Sequence, residues 1–197
     1  VTKPPGTKPS VTRPRGTKEL VRCAWGDSTP DYVAYHDEEW GTELHGVNAM
    51  YERLCLESFQ SGLSWITILR KRENFRAAFA GFDPKRVAEF GDADVARLMG
   101  DAGIVRNRAK IDAAIRNAGA VLSLDVPLDE LLWSFKPAKH KRPRTMADVP
   151  AVTDESKAMA KELKRRGFAF LGPTTCYALM QATGIVDDHI AACWRAK

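Results

Sequence analysis

The stretch NAMYERLCLESFQSGLSWITILRKRENFRAAF, residues 48–79, decides the fold class. Its apolar residues Met50, Leu54, Leu63, Ile66 and Leu69 recur at spacings of three and four over two successive helices, the period at which side chains share one helical face. Further along, FDPKRVAEF offers Asp83 as an N-cap with Pro84 at the first helical position, and DADVARLM is a short amphipathic helix led by Asp92. RNRAKIDAAIRNAGAVL predicts a longer helix that buries Ile111 and Ile115. TDESKAMAKELKRRG begins at Thr153 and closes on a basic last turn and Gly167, and PTTCYALMQATG repeats the design with Pro173 early and Gly184 late. No run alternates apolar and polar residues between hairpin turns. The expectation is an all-α protein.

Composition narrows the class further. The chain has 197 residues, 44% apolar and 28% charged, which suits one globular domain. No apolar run approaches the roughly 20 residues needed to cross a bilayer, and no hydrophobic signal region opens the chain, so a cytoplasmic protein with no membrane partner is expected. Four cysteines, Cys23, Cys55, Cys176 and Cys193, point to reduced thiols or metal ligands rather than a disulfide framework. The net charge of +5 equals the five bases of residues 1–18, where no acid occurs, so the remainder is formally neutral. Those residues form a degenerate repeat, TKPPGTKPSVTRPRGTK, with almost nothing to bury. We expect residues 1–18 to be a disordered tail, either a weak anchor on a polyanion or a solvated extension, and residues 19–197 to be the helical domain.

Near the C-terminus, VDDHIAACWRAK sets His189 and Cys193 four residues apart, which on a helix would share one face. Cys23 and His36, in CAWGDSTPDYVAYH, could supply two further ligands. Two cysteines and two histidines would close a tetrahedral zinc shell with no open position for water, stapling one end of the domain to the other. The spacing is not that of a zinc finger, and buried thiols beside a core histidine would give the same pattern.

Aromatic residues concentrate at Trp25, Tyr32, Tyr35, Trp40, Tyr51, Phe59 and Trp65, and a single carboxylate, Glu57, lies within the mostly apolar LCLESFQSGLSW. A carboxylate on a core-facing helix is costly unless something pairs with it. Glu57 is either a partly exposed acid satisfied locally or the acceptor in a pocket whose aromatic faces sandwich a flat, electron-poor ligand. MGDAGIVRNRAKI reads as two helices joined by a tight glycine-containing turn, with Arg106, Arg108 and Lys110 opening the second helix, a combination that suits a phosphate backbone. KPAKHKRPR adds Lys136, Lys139, Lys141, Arg142 and Arg144 in a loop. Together these features favour a protein that grips nucleic acid by its backbone and extracts one base.

The blocks CAWGDSTPDYVAYHDEEWG, CLESFQSGLSWITILRKRENFRAAF, DAGIVRNRAKI, LLWSF and LKRRGFAFLGPTTCYALMQATGIVDDH, with the closing His189 and Cys193, resemble the 3-methyladenine DNA glycosylase I family in order over nearly all of residues 21–194. The resemblance implies a helix-hairpin-helix DNA glycosylase that removes N3-methyladenine from alkylated double-stranded DNA, with a structural zinc on Cys23, His36, His189 and Cys193. It implies that Glu57 is the catalytic-site carboxylate recognising the flipped base, with Tyr35 and Trp65 stacking on it, Trp25 close by, and Trp40 and Tyr32 as secondary candidates. The turn at Gly103 and Ile104, with Arg106, Arg108 and Lys110, would grip the DNA backbone, and Gly62, Leu63 and Ser64 would approach the vacated duplex. Ser58 and Phe59 stand where the family is expected to have small or amide residues, which leaves the lining of the pocket open. Asp125 lies where related glycosylases carry a catalytic aspartate, but SLDVPLDE reads more simply as a cap before a short helix. A monomer is expected. The alternative is a zinc-stapled DNA-binding module without catalysis, which would have no use for an aromatic pocket around a lone carboxylate.

Overall fold

The computed structural model describes residues 20–196, so the repeat tail lies outside the described residues. Among these, the chain forms α1 (Pro30–Glu38), α2 (Val47–Gln60), α3 (Trp65–Ala78), α4 (Pro84–Ala88), α5 (Asp92–Gly100), α6 (Arg108–Leu122), α7 (Leu128–Trp133), α8 (Asp154–Arg165) and α9 (Pro173–Ala182). Short 3-10 turns occur at Ala80–Phe82 and Met146–Asp148, and no strand is present among the described residues.

Local chemistry sets the helix ends. The Asp83 side chain accepts from the Lys85 N–H ahead of α4, and the Thr153 hydroxyl accepts from the Ser156 N–H ahead of α8. At the end of α8, Gly167 takes φ 92, the Phe168 N–H donates to the Leu163 carbonyl, and the Gly167 N–H donates to that of Lys164. This paired closure satisfies carbonyls that the helix leaves open, and it needs a residue without a Cβ at the turn. Asp125 caps nothing: α7 starts from Pro127, and the largely exposed Asp125 carboxylate pairs with Arg166.

The central helix is α2, which packs on α3, α6, α7 and α9 and buries most of its length from Met50 to Phe59. One face enters a cluster of phenylalanines, Phe59, Phe75, Phe79 and Phe82, each with no exposed surface. Burying such a ring fully is worth roughly 1.5–3 kcal/mol. That burial also holds Phe82 at φ 54, a left-handed backbone that a bulky residue otherwise avoids. A second, smaller cluster joins the ends of the domain through Cys23, Tyr35, Trp40, Ala182 and Cys193.

Three sequence expectations are corrected. Leu63 is not part of a helical stripe; it lies in the turn between α2 and α3 and is 40% exposed, because the helix stops at Gln60 and Gly62 turns the chain at φ 81. Ile115 is half-buried, and the inward face of α6 is carried by Ile111, Ala114, Ala118 and Val121. His189 and Cys193 do not share a helical face, since α9 ends at Ala182 and residues 183–196 are coil and turns.

Candidate active site and metal centre

A cavity of about 310 Å³ opens between α1, α2, α3 and α9, lined by Trp25, Tyr32, Tyr35, Trp40, Glu57 and Trp65. Every aromatic candidate from the sequence except Tyr51 and Phe59 is therefore in one place. Tyr51 is fully buried and donates its hydroxyl to the Ala114 carbonyl, while Phe59 packs against Phe75 with ring centroids 4.7 Å apart. Phe59 thus belongs to the opposite face of α2 and leaves the cavity lining unaltered. Gln60, Ala178 and Gln181 complete the helical walls, and Met146 and Val149 come from the segment between α7 and α8. No pattern in the sequence singles out those five residues, because they are ordinary core and surface types assembled by packing.

The rings are fixed before any ligand arrives. Trp25 meets Tyr32 and Trp40 edge to face at 5.5 and 5.1 Å, and the Tyr32 hydroxyl oxygen accepts from the Ile66 N–H at the start of α3. Tyr35 and Trp65 lie with centroids 5.3 Å apart. Behind both stands the buried guanidinium of Arg53, 5.5 Å from the Tyr35 ring centre and 5.7 Å from that of Trp65. Arg53 donates to the Tyr35 hydroxyl and to Glu39, and Arg72 clamps the same Glu39 carboxylate with two bonds. Arg53 escaped the sequence reading, although it precedes Glu57 by one helical turn.

Glu57 itself is 5% exposed, and burial pushes its carboxyl up to about 7 while Arg53 pulls the other way. The cavity therefore holds a carboxylate at the edge of ionisation, surrounded by aromatic faces. Trp65 Nε1 is likewise buried with no partner. A flat ligand bearing N–H donors and positive charge would satisfy the carboxylate and gain from the rings.

The second site lies behind Trp25 and Trp40. The ligand atoms of Cys23, His36 and Cys193 converge within 4.8 Å of one another, and the three residues could form a metal site. Cys193 Sγ is 3.4 Å from His36 Nε2, close to the spacing of about 3.5 Å between sulfur and nitrogen ligands around a tetrahedral zinc. His189 adjoins this trio, its ring centre 4.9 Å from that of His36. Its Nε2 is buried without a partner among the described residues, a condition that a cation would relieve. Asp37 holds His36 Nδ1 and Asp187 holds His189 Nδ1, each at 2.8 Å. Carboxylates on Nδ1 leave each Nε2 as the candidate ligand atom: that of His36 meets the Cys23 N–H at 3.3 Å and Cys193 Sγ at 3.4 Å, whereas that of His189 has no partner among the described residues. Burial pushes the Cys23 thiol up to about 11 and the His36 imidazole down; a cation between them would favour the thiolate and bind the neutral imidazole.

The basic segments are arranged differently from expectation. Lys110 does not face solvent: it is 7% exposed, and its ammonium donates to the carbonyls of Phe59 and Ser61, locking the end of α2. Arg106 and Arg108 are exposed, with Arg108 paired to Asp112 one turn on. In the turn between α5 and α6, Ile104 is buried, Lys71 and Asn74 from α3 hold the Gly103 carbonyl, and Asp101 takes the Gly103 N–H. Gly62 and Leu63 protrude beside the cavity, where Gln60 holds the Leu63 carbonyl at 2.8 Å. Within the loop 136–144, Lys136 approaches Glu43, His140 pairs with Asp188, and Arg142 pairs with Asp187, so this basic run braces the chain end.

Fold and site together define an all-helical protein with a rigid aromatic cavity built to enclose a flat, electron-poor ring over a carboxylate. The family model described as methyladenine glycosylase matches residues 25–196. The chain is 46% identical over 181 residues to DNA-3-methyladenine glycosylase 1 of Escherichia coli (strain K12), covering 88% of this chain and 96% of that one. It is 44% identical over 179 residues to DNA-3-methyladenine glycosylase of Haemophilus influenzae, with the same coverage of 88% and 96%. Among solved structures, a 3-methyladenine DNA glycosylase I superposes with a TM-score of 0.87 at 44% identity, over 90% of this chain and all of that one. A Staphylococcus aureus structure of the same enzyme, described as the basis of 3-methyladenine recognition, gives 0.84 at 36% identity, covering 89% and 96%. The chain belongs to the methyladenine glycosylase family.

Proposed function

We propose that the protein is a DNA-3-methyladenine glycosylase of base-excision repair, which takes N3-methyladenine out of alkylated duplex DNA into the aromatic cavity and hydrolyses its N-glycosidic bond. The observation that carries this reading is Glu57, a buried carboxylate with no hydrogen-bond donor among the described residues, in an aromatic cage, in a chain of this family. Methylation at N3 makes adenine cationic and a good leaving group. When the bond between C1′ and N9 breaks, the base departs as a neutral molecule with the bonding electron pair, and water adds to the sugar to leave an abasic site. Little acid catalysis is required, so the protein's task is recognition and geometry.

In this mechanism Tyr35 and Trp65 stack on the base and Trp25 closes the cage, with Tyr32 and Trp40 behind it. A cation held between such rings gains roughly 1–2 kcal/mol. Glu57 accepts the N–H donors of the base edge; the base's positive charge in turn favours the ionised carboxylate. Neutral adenine offers the cage no charge, and its glycosidic bond is far stronger. Gly62 and Leu63, protruding beside the cavity, fill the space the base leaves in the duplex. The α5–α6 turn at Gly103 and Ile104, with exposed Arg106 and Arg108, tracks the phosphate backbone. Lys110 acts indirectly, by fixing the loop that carries Gly62.

Cys23, His36, His189 and Cys193 would hold a zinc ion whose contribution is structural cross-linking of the two chain ends; the orphaned His189 Nε2 supports this set. The rival reading, a zinc-stapled DNA-binding module without catalysis, leaves the unpaired carboxylate in the cage unexplained. The deciding experiment is chromatographic analysis of free bases released from N-methylated duplex DNA by the wild type and Glu57→Gln. Release of 3-methyladenine by the wild type and a strong reduction in the variant are expected. A folded, metal-loaded wild type that binds the duplex but releases no base would favour the rival.

A further inference from the structure

A second cavity, of about 540 Å³, lies across the end of α2 from the aromatic cage: Gln60 lines the cage, and the next residue, Ser61, lines the second cavity. Its other walls come from the α8–α9 connection, with Arg116 and Lys164 at its edge and no carboxylate in its lining. Lys164 is exposed, and its ammonium has neither a hydrogen bond nor an ion pair among the described residues.

The connection presents one aromatic ring to this space. Phe170 sits at φ 60 with 45% of its surface exposed. Among the described residues only Ala80 and Phe82 share a left-handed backbone without being glycine, and Phe82 is held there by complete burial of its ring. Phe170 has no such packing. Its neighbours are nonetheless rigidly fixed. The fully buried Asn117 binds both the N–H and the carbonyl of Ala169, Arg116 donates to the Gly167 carbonyl at 2.7 Å, and Phe168 and Leu171 point into the core. The segment therefore holds a large apolar side chain out in water, in a backbone conformation that glycine would adopt more easily.

We infer that this cavity is a second DNA subsite, in which Phe170 stacks on a nucleobase and Lys164 neutralises a phosphate of the duplex flanking the extruded nucleotide. An exposed ring beside unopposed cations is the chemistry that recognises a stacked, anionic polymer. Continuity with the cage places the subsite next to the base being removed, since only the end of α2 separates them. The inference rests on the glycosylase reading for the identity of the polymer, and its test separates the two.

The test measures affinity for a duplex carrying a tetrahydrofuran abasic-site analogue, as a function of salt, alongside base release and thermal unfolding. Phe170→Gly is expected to melt higher than the wild type, because glycine tolerates the backbone, and yet to bind the duplex about tenfold more weakly. Phe170→Tyr keeps an aromatic face and should retain wild-type affinity. Lys164→Gln should lower the slope of log affinity against log salt by about one. Free 3-methyladenine should quench tryptophan fluorescence at the same concentration in Phe170→Gly as in the wild type. A Phe170→Gly protein that binds the duplex as tightly as the wild type, with the salt slope of Lys164→Gln unchanged, would overturn the subsite and leave the glycosylase reading intact. A wild type that releases no base, with duplex affinity still dependent on Phe170, would overturn the glycosylase reading and leave the subsite standing.

Discussion

Two buried clusters stand on opposite sides of Trp25 and Trp40. In the terminal cluster, His36 and His189 each have a carboxylate on Nδ1, and among the described residues His189 Nε2 has no partner, a need that a cation would meet. In the cage, Glu57 has no hydrogen-bond donor among the described residues, and a cation or N–H groups above the carboxylate would meet it. On the proposed reading, the first is completed by something that stays and the second by something that comes and goes. The difference lies in access. The thiols and imidazoles of the first are all buried, whereas the second opens to solvent between aromatic walls.

Removing the partner from the first cluster should have the largest effect. Stripping metal with a chelator, or substituting Cys193→Ser, is expected to lower thermal stability by several kcal/mol and abolish stoichiometric zinc, measured by unfolding and elemental analysis. An unchanged melting temperature would break the comparison. For the second cluster, Glu57→Gln should reduce excision about 10- to 100-fold. Its effect on stability has the opposite sign. The Glu57 carboxyl at about 7 lies above its ordinary 4.5, so the folded state holds the proton more tightly than the unfolded one. The resulting stabilisation is complete below pH 4.5 and is lost as pH rises through 7. Denaturant titration should therefore find Glu57→Gln more stable than wild type at pH 8, by about 1–3 kcal/mol, with the advantage vanishing near pH 4.

Two smaller effects sharpen the contrast. Asp187→Asn leaves every thiol and imidazole in place but loosens one ring, and should weaken zinc affinity about 10- to 100-fold in a chelator competition. Arg53→Met removes the one cation among the described residues that favours ionised Glu57. The rise of excision with pH should then move alkaline by about one pH unit, with partial recovery in Arg53→Lys. A profile that loses height without moving would mean that Arg53 only supports the rings.

Much of this was legible in the sequence because it is local. Asp83, Thr153 and Gly167 mark helix ends through bonds within a few residues, and the all-helical class follows from their spacing. The cage aromatics and Glu57 were legible as unusual residue types, and the resemblance gave them a common place. What failed was tertiary. Lys110 reads as a surface base, but helix packing turns its ammonium onto the carbonyls of Phe59 and Ser61, 51 and 49 positions away. His189 and Cys193 read as helical neighbours, whereas the C-terminal turns bring them to Cys23 and His36 without a helix. Arg142 reads as one base in a run of bases, yet it binds Asp187 and the His189 carbonyl, contacts that no spacing encodes.

The meeting of the two ends of the described domain has a consequence for protein engineering. The Trp194 N–H donates to the Val21 carbonyl at 2.8 Å, and Trp194 Nε1 reaches Asp37, so the backbone enters and leaves the domain at one point. A domain with that geometry can be closed by a short glycine-serine bridge and reopened elsewhere, or set as a cassette into a surface loop of a host protein.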